Sequence, residues 1–534
     1  VLDARTKQKL DDTLRDVKFS GLSWRGNEGF YYSSYDKPKE GSQLSGKTQN
    51  HKLYFHKLGA AQNTDELVFG GDTNLRRYVG GSVREDEEFL VITAANATYG
   101  NELYVKSLKE KNAPIVTIQG NMDNESDVVY SKNGMLYIIT NIGAPNRKLM
   151  STTLKNAPDV SSWKVEIPES KYPMSISTCG DKFFATYLKD AVSEVHQHDL
   201  QGKEERIVSL PGLGTAGGFG GKQKEQELYY SYTSYIYPTT IFKYDIKTGK
   251  SVLYKKPGIN FNPDVYESKQ VFYTSYPDGE SIPMIITYKK GTELNGKNPL
   301  MLYGYGGFNV SLTPSFSVSN LVFMENGGIY AVANLRGGGE YGDKWHNMGT
   351  KLQKQNVFND FISAAEYLIK EKYTSKDYLA IAGGSNGGLL VGACLTQRPD
   401  LFKVCFPAVG VLDMLRYHKF TAGAGWAYDY GTADESEEMF KYLLKYSPVH
   451  NTKKGTCYPA TMITTADHDD RVVPAHSFKF AAALQAAQSC DKPTLIRIET
   501  QAGHGAGKPT SMIIDEQVDK WAFMLYNMGL TYGK

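Results

Sequence analysis

One serine of the chain has the sequence setting of a catalytic nucleophile. Ser385 is the centre of Gly383-Gly384-Ser385-Asn386-Gly387, which fits the pattern G-x-S-x-G. The apolar strand-like run 378–382 precedes it and the helix-like run LLVGACL follows, in the order that a nucleophile elbow requires. Glycines make room for a strained turn, and a helix N-terminus favours developing negative charge. We therefore predict a serine hydrolase with Ser385 as nucleophile, in preference to a glycine-rich helix-packing turn.

A serine hydroxyl needs a general base and an acid that orients this base. In α/β-hydrolases these follow the serine in the order acid, histidine, each on a loop after a strand. The strand-like run MITTA (462–466) ends at loop 467–471, and LIRIET (495–500) ends at loop 501–505. The second loop predicts His504, which lies between two glycines, as the base. The acid is one of Asp467, Asp469 and Asp470, and the sequence pattern does not choose among them.

The elements around these residues divide the chain into two halves. Residues 259–534 alternate strand-like runs with helix-like runs such as VFNDFISAAEYLIKEK, which predicts a parallel sheet covered by helices. Residues 1–258 contain short aromatic strand-like runs separated by polar turns. We therefore expect an all-β domain over 1–258 and an α/β-hydrolase catalytic domain over 259–534.

A repeat underlies the all-β half. A second strand of each unit ends in an aliphatic residue, at Leu58, Leu108, Leu154, Leu200 and Ile246. This period of 46 to 50 residues, with several strands a unit, is typical of β-propeller blades and corresponds to about five of them. A β-sandwich is the alternative, but a sandwich needs no fixed period.

Composition limits the partners and the compartment. Net charge is +2 with mixed signs, and no run of 18 apolar residues occurs, so neither nucleic acid nor a membrane is an expected partner. The five cysteines are scattered and odd in number, which predicts a reducing compartment without a disulfide framework or zinc site.

Two further patterns are weak. Residues 212–217 match G-x-G-x-x-G, but they lie between strands with no helix after them, so a blade turn is the better interpretation. His196 and His198 could be two metal ligands on one strand face. No third ligand is evident, so we interpret them as solvated histidines and predict neither a metal nor an organic cofactor.

Several motifs together resemble the prolyl oligopeptidase family across the catalytic half, and more weakly across the repeat half. These are YGYGGFN (303–309), ANLRGGGEYG (333–342), GGSNGGLL (383–390), DYGTAD (429–434), ADHDDRVVPAHS (466–477) and AGHGAGKPT (502–510). The resemblance implies a seven-bladed propeller capping an α/β-hydrolase domain, with the active site in the cavity between them.

The resemblance also implies roles for individual residues. The catalytic residues would be Ser385, Asp469 and His504, and the Tyr305 hydroxyl and the Asn386 backbone N–H would form the oxyanion hole. A pocket for the substrate proline would be lined by Trp426, Phe308, Val411, Val472 and Tyr430. Arg471 would bind a substrate carbonyl.

The function implied is serine endopeptidase activity on the carboxyl side of internal proline in short peptides, through an acyl-enzyme. A related oligopeptidase, dipeptidyl peptidase or acylaminoacyl peptidase is the alternative, and a catalytically dead peptide-binding scaffold is a more distant one. We expect a cytoplasmic monomer, or a periplasmic protein if a signal peptide precedes residue 1.

The first residues suggest a chain that begins inside a blade. Leu2-Asp3-Ala4-Arg5-Thr6 is similar to Tyr244-Asp245-Ile246-Lys247-Thr248, a strand end late in a repeat. Family members carry an N-terminal segment that packs on the hydrolase domain, followed by the first blades. We therefore expect a fragment of a longer chain, or one associated with a separate N-terminal piece, with apolar surface exposed on the hydrolase domain.

Overall fold

The computed structural model describes residues 1–17, 19–36, 50–71, 78–110, 112–505 and 507–532. Within them, the first half forms five consecutive four-stranded antiparallel sheets, here called blades 1 to 5. Blade 1 contains β1 (Leu22–Arg25), β2 (Gly29–Ser34), β3 (Lys52–Lys57) and β4 (Glu66–Phe69), and blade 2 contains β5 (Tyr78–Val83), β6 (Phe89–Ala95), β7 (Glu102–Ser107) and β8 (Ile115–Gln119). Blade 3 contains β9 (Ser126–Lys132), β10 (Met135–Thr140), β11 (Lys148–Thr153) and β12 (Lys164–Ile167). Blade 4 contains β13 (Met174–Cys179), β14 (Lys182–Lys189), β15 (Val192–His198) and β16 (Glu204–Ile207), and blade 5 contains β17 (Thr215–Gly217), β18 (Glu227–Ser234), β19 (Tyr237–Asp245) and β20 (Ser251–Lys255).

The sequence repeat marks equivalent positions in the blades. Each repeat residue directly follows the third strand of its blade, or follows it after one residue, rather than ending a second strand. Leu58, Leu108 and Ile246 each donate a backbone N–H to the residue just before the second strand of their blade. The same turn contact therefore recurs, which is why the period is visible in the sequence.

Alternating aromatic residues hold the blades together. In β18 the side chains of Leu228, Tyr230 and Tyr232 are buried, while the residues between them are more exposed. The Tyr230 ring stacks on Phe219, with ring centroids 4.7 Å apart. This period of two buries one face of the strand, as the sequence pattern predicts.

The first residues form a turn like the one at 244–248, the segment to which their sequence is similar. Asp3 accepts backbone hydrogen bonds on its side chain from Arg5 and Thr6, and its carbonyl accepts one from Lys7. Asp245 accepts the Thr248 N–H on its side chain, and its carbonyl accepts the N–H of the residue four positions later. The two segments therefore share one turn geometry.

The second half contains an eight-stranded sheet, in the order β21-β22-β24-β23-β25-β26-β27-β28. β21 and β22 run antiparallel to each other, β22 runs antiparallel to β24, and the remaining neighbours are parallel. The strands are β21 (Tyr266–Thr274), β22 (Ser281–Lys289), β23 (Leu300–Tyr303), β24 (Ile329–Ala333), β25 (Leu379–Gly384), β26 (Val404–Ala408), β27 (Ala460–Ala466) and β28 (Thr494–Glu499). β20 and β21 lie on either side of the predicted boundary after residue 258.

Helices cover this sheet on both faces. They are α1 (Val318–Glu325), α2 (Asp343–Asn347), α3 (Gln355–Lys370), α4 (Asn386–Gln397), α5 (Ala427–Tyr430), α6 (Glu437–Tyr446), α7 (Ala475–Ala487) and α8 (Thr510–Asn527). One apolar cluster contains buried side chains of α3, α4 and α7, and another contains those of α1 and α8. The central strands are buried on both faces, which explains their nearly continuous apolar runs.

An apolar groove lies between α1 and α8. Val322, Phe323, Ile514, Val518 and Trp521 are among its lining residues. The side chains of Ile514 and Val518 are more than half exposed. The hydrolase domain therefore presents an apolar groove on the face formed by α1 and α8.

One expectation about the cysteines is wrong. Cys457 and Cys490 form a disulfide, with their Cα atoms 5.2 Å apart, whereas Cys179, Cys394 and Cys405 are free and buried. The two partners lie 33 residues apart in the sequence, so their spacing gives no signal. Because Cys457 and Cys490 are joined in a disulfide, the cysteines no longer support the expectation of a reducing compartment.

None of the helices among the described residues combines the length and apolarity that crossing a membrane requires.

Candidate active site

Ser385 occupies the sharp turn between β25 and α4 that the sequence predicts. Its backbone angles are φ 59° and ψ −116°, a conformation that residues other than glycine rarely adopt. The Ser385 N–H donates to the Ala408 carbonyl at 2.9 Å, which ties the turn to the neighbouring strand β26. The residue is half-buried at the N-terminus of α4, so its hydroxyl lies where the helix dipole favours negative charge.

The glycines around the serine differ in how much room their surroundings leave for a Cβ atom. A Cβ on Gly383 would lie 2.4 Å from the Gly387 carbonyl oxygen, and one on Gly388 would lie 2.5 Å from the Ala408 oxygen. A Cβ on Gly384 would meet nothing closer than 3.9 Å. Close packing therefore accounts for Gly383 and Gly388, but it does not account for Gly384.

The structure brings Asp469 and His504 together. Asp469 Oδ2 lies 2.6 Å from His504 Nδ1, and the Asp469 side chain is fully buried. Its Oδ1 accepts the backbone N–H groups of Arg471 and Val472 at 3.0 and 2.9 Å. The carboxylate is therefore fixed on one side by its own loop and faces the histidine on the other.

The loop that carries His504 contains tight backbone turns. Gln501 and Gly505 both have positive φ angles, 61° and 113°. Ala506, in the motif AGHGAGKPT, lies outside the described residues. Among the described residues, no hydrogen bond joins Ser385 Oγ to His504, and catalytic hydrogen bonds are often loose before substrate binds.

The other acids of loop 467–471 have different surroundings. Asp467 lies 2.6 Å from His468 Nδ1 and accepts the Gln501 N–H at 2.8 Å. It is about one-third exposed, and Asp470 is half-buried. The geometry thus separates Asp469 from its two neighbours, a choice that the sequence pattern left open.

Tyr305 lies beside the nucleophile. Burial raises the pKa of Tyr305 to about 12, the Asp429 carboxylate adds to this rise, and Ser385 and Arg471 act in the opposite direction. The phenol is therefore protonated at neutral pH and can donate a hydrogen bond. The Asn386 N–H, the second predicted donor, has no partner among the described residues, so both groups can donate to a substrate oxygen.

The Asn386 side chain is held by three groups, one of which the sequence analysis missed. Its Nδ2 donates to the Tyr305 carbonyl at 2.5 Å, and its Oδ1 accepts from the Tyr430 hydroxyl at 2.8 Å. The missed residue is Lys354, whose Nζ donates to the same Oδ1 at 3.1 Å and to the Gly306 carbonyl at 2.8 Å. These contacts fix the backbone of Asn386 and hence the direction of its N–H.

Lys354 is a buried cation of the site. Its side chain is 1% exposed, and its Nζ lies 5.4 Å from the centre of the Tyr430 ring. Burial lowers the pKa of Lys354 to about 8, and the Asp429 carboxylate acts against this fall. Lys354 belongs to no recognisable sequence motif, so its contact with Asn386 becomes visible only in the fold.

Lys354→Met should lower kcat about 10- to 100-fold and leave KM nearly unchanged, since a misdirected oxyanion donor weakens transition-state binding. The substitution leaves the Gly306 carbonyl and part of Asn386 unpaired. Steady-state kinetics on a peptide amide checks it, with thermal unfolding to monitor the fold. The control is Lys351→Met, because Lys351 is exposed and its Nζ lies 5.3 Å from the centre of the Tyr428 ring, without an ion pair among the described residues. Equal kcat values in the two variants would contradict the positioning role.

Only some of the side chains predicted to line the proline pocket are accessible to a substrate. Trp426 is half-buried and stacks on Tyr417, with the ring planes within 9°. Phe308 is half-buried and meets the edge of Tyr430 at 5.3 Å between centroids. Tyr430 itself is fully buried, so it supports Phe308 and Asn386 from behind.

Val411, Val472 and Arg471 complete the predicted set. Both valines are 2% exposed and belong to the same apolar cluster as Tyr430. Arg471 is exposed, and its guanidinium makes no ion pair among the described residues. It influences the pKa of Tyr305, so its charge lies near the oxyanion hole.

The propeller contacts the loop that carries Trp426. Thr98 Oγ1 donates to Asp429 Oδ2 at 2.8 Å, and Tyr99 stacks on Tyr428 at 4.9 Å between centroids. Asp429 Oδ1 also accepts the Phe308 N–H at 2.7 Å. The sequence analysis missed the two contacts between the domains, since they join residues more than 300 positions apart.

Asp429 remains a carboxylate inside this contact. Burial acts to raise its pKa, but the hydrogen bond and charge of His346, with the charge of Lys354, outweigh that effect and hold the pKa below its usual value. His346 Nε2 lies 2.9 Å from Asp429 Oδ1. The buried Asp429 carboxylate therefore connects Thr98 of the propeller with Phe308, and it also interacts with the charge of Lys354.

Further contacts join the two domains. The Tyr341 hydroxyl donates to Asp190 at 2.9 Å, and Thr215 donates to the Pro314 carbonyl at 2.6 Å. A cavity of about 280 Å³ is lined by both domains, with Arg147 on the propeller side and Asn309 on the other. The propeller thus lies over the side of the hydrolase domain that carries Phe308 and Trp426.

Comparison with known proteins agrees with this architecture. Residues 1–257 match the prolyl oligopeptidase N-terminal β-propeller domain, and residues 314–531 match the prolyl oligopeptidase family. A prolyl endopeptidase of Elizabethkingia meningoseptica is 62% identical over 530 residues, which cover 99% of this chain and 75% of that protein. One from Dictyostelium discoideum is 40% identical, over 96% of this chain and 71% of that protein.

Solved structures lead to the same result. A prolyl endopeptidase described in a study of inter-domain dynamics has a TM-score of 0.94 at 38% identity, over 99% of this chain and 78% of that chain. Prolyl oligopeptidase B from Galerina marginata, bound to a 25-residue macrocyclization substrate, has a TM-score of 0.93 at 33% identity, over 98% and 74% of the two chains. The predicted propeller and α/β-hydrolase fold is confirmed, and the chain belongs to the prolyl oligopeptidase family of serine peptidases.

Proposed function

We propose that this peptidase cleaves short peptides on the carboxyl side of internal proline, with Ser385, His504 and Asp469 as catalytic residues. The observation that carries the catalytic assignment is the 2.6 Å contact of buried Asp469 with His504, on loops of the same sheet as the Ser385 turn. The proline preference is supported by the aromatic groups beside that turn and by relatives named prolyl endopeptidases.

Acylation begins at Ser385. Asp469 holds His504 through Nδ1, so Nε2 is the nitrogen that takes the serine proton as Oγ attacks the carbonyl carbon. His504 then gives this proton to the leaving amine, and the acyl-enzyme forms. Water then attacks the acyl-enzyme while His504 takes its proton. His504 returns the proton to Ser385 Oγ, which frees the carboxylate product and the enzyme.

The oxyanion is stabilised by two donors of different kinds. The Tyr305 phenol and the Asn386 N–H both meet the carbonyl oxygen as its negative charge develops. Burial keeps the phenol protonated, and the Asn386 side-chain contacts prevent its N–H from turning away. Neither donor needs to reorganise during the reaction.

Proline recognition rests on flat apolar surfaces. A pyrrolidine ring has no N–H and little flexibility, so an aromatic slot binds it with small entropic cost. Trp426 and Phe308 supply such surfaces, and Val411 and Val472 pack behind them in the core. The guanidinium of Arg471, which has no ion-pair partner among the described residues, can donate to a substrate carbonyl upstream of the proline.

Trp426→Ala should raise KM for a proline peptide about 10-fold or more, while a small activated ester is hydrolysed nearly as before. The ring orients proline but does not touch the scissile bond. Parallel kinetics on the two substrates checks this, with Trp426→Phe as the control that keeps an aromatic face. Equal losses on both substrates would assign Trp426 a structural role instead.

The function is tested by a panel of matched substrates ending in Gly-Pro, Gly-Arg or an acyl-amino acid. We expect kcat/KM for the Gly-Pro substrate to exceed the others at least about 100-fold, because the side chains predicted to line the pocket are aromatic or aliphatic and include no carboxylate to pair with arginine. Preference for Gly-Arg or for the acyl-amino substrate would overturn the specificity and favour a related peptidase. No hydrolysis and no labelling of Ser385 by a fluorophosphonate would indicate an inactive scaffold.

A further inference from the structure

A second cluster of chemically active side chains lies on blade 4, in β15 and β16. His196 and His198 occupy alternate positions of β15 and so share a face, and strand pairing places Glu204 opposite His198. One ligand atom from each of the three residues lies within 4.8 Å of the other two. Sequence spacing shows two imidazoles, and the strand pairing adds the third group that the sequence does not reveal.

His198 has an unpaired nitrogen. The residue is 5% exposed, and its Nδ1 lies 3.0 Å from the Gly202 carbonyl oxygen. A carbonyl only accepts hydrogen bonds, so Nδ1 carries the proton and Nε2 keeps its lone pair. Nε2 is buried and has no hydrogen-bond partner among the described residues.

This arrangement is that of a metal-binding histidine. Ligand histidines donate one ring N–H to a carbonyl or carboxylate, which orients the other nitrogen toward the ion. An unpaired buried nitrogen is unfavourable by about 1–3 kcal/mol, and a cation would remove that cost. His198 therefore has an unpaired, buried nitrogen of the kind that a metal ion can bind.

His196 and Glu204 supply the other two ligand atoms. His196 Nδ1 lies 2.8 Å from Glu204 Oε2, and its Nε2 lies 3.2 Å from Glu194 Oε1. Glu194 can thus hold the outer ring nitrogen while Nδ1 faces the site. The rings of His196 and His198 are nearly parallel, 15° apart, with centroids 6.3 Å apart. Tetrahedral ligands about 2.0 Å from zinc lie about 3.3 Å from one another, which small side-chain rotations reach from the observed spacing.

We propose that blade 4 binds one divalent transition-metal ion of the zinc class through His196, His198 and Glu204. Two imidazoles and one carboxylate select such ions over Mg²⁺ and Ca²⁺, which prefer oxygen ligands. Binding displaces the proton between His196 and Glu204, and water fills the remaining coordination position. The ion links β16, a four-residue edge strand, to β15 and so stabilises the blade.

The site lies away from the reaction centre. β15 begins beside Asp190, which contacts the hydrolase domain through Tyr341, and His198 is eight residues farther along the chain. β15 itself starts at Val192, so at about 3.3 Å a residue His196 and His198 lie about 13 and 20 Å along the strand from its interface end. A structural ion, rather than a catalytic one, follows from this position.

The test measures Zn²⁺ binding by equilibrium dialysis and elemental analysis, after the protein has been stripped with EDTA. We expect one Zn²⁺ per chain in the wild type and at least about 10-fold weaker binding in Glu204→Gln and His196→Gln. Glu204 is about half exposed, so its substitution does not threaten the fold. The control is His468→Gln, which removes an exposed histidine that also lies beside a carboxylate but belongs to no such three-residue cluster among the described residues.

Two further readouts separate this site from adventitious binding. Zn²⁺ should raise the unfolding temperature of the wild type and of His468→Gln, and should have little effect on Glu204→Gln, while Mg²⁺ changes none of them. Co²⁺ should give tetrahedral visible bands in the wild type that Glu204→Gln lacks. Equal zinc binding in the wild type and Glu204→Gln, or binding lost only in His468→Gln, would overturn the proposal.

Discussion

Ser385→Ala should reduce hydrolysis of peptide amides and esters by about 10⁴-fold or more, with the fold unchanged. The substitution removes one hydroxyl from a turn whose geometry depends on Gly383, Gly388 and the bond from the Ser385 N–H to Ala408. Alanine keeps that N–H and fits the same space. The remaining rate comes from the oxyanion donors and from binding, which the change leaves intact.

The measurement is kcat/KM on a Gly-Pro substrate together with thermal unfolding of both proteins. A fluorophosphonate should label the wild type and fail to label Ser385→Ala. Because a positive φ strains any residue with a Cβ, alanine should not lower the unfolding temperature by more than a few degrees. Wild-type activity in the purified variant would refute the nucleophile assignment.

The nucleophile turn could be predicted from the sequence because its constraints are local. Strand, glycines, serine and helix follow one another within 20 residues, and each shows a pattern of its own. The blades are predictable for a similar reason, since the contact made by Leu58 recurs at Leu108 and Ile246. Local repetition of one physical requirement produces a visible sequence period.

Other parts of the fold could not be predicted because their causes are distant in the chain. Lys354 meets Asn386 only after α3 packs beside α4, and Thr98 meets Asp429 only when two domains dock. The first two strands of the sheet, β21 and β22, have no helix between them, so the alternation that predicts the remaining sheet does not extend to them.

The choice among the acids of loop 467–471 shows where sequence reasoning stops. All three aspartates follow the same strand, and only the backbone of the loop decides which carboxylate faces His504. The N–H groups of Arg471 and Val472 both bind Asp469 Oδ1, which leaves Oδ2 directed at the histidine. Asp467 is instead occupied by His468 and the Gln501 N–H.

Asp469→Asn should lower kcat by about 10⁴-fold, whereas Asp467→Asn should lower it only a few-fold. In the first variant, Arg471 and Val472 need an acceptor, so the amide oxygen must keep the place of Oδ1. The amide NH₂ then faces His504 Nδ1 and donates to it, which forces the ring proton onto Nε2. A protonated Nε2 cannot take the proton from Ser385, although every group remains in position.

Asp467→Asn keeps an acceptor for Gln501 and leaves the His504 tautomer unchanged, which makes it the matched control. Kinetics of both variants on one proline substrate decides the matter, and a larger loss in Asp467→Asn would show that the acid has been misassigned.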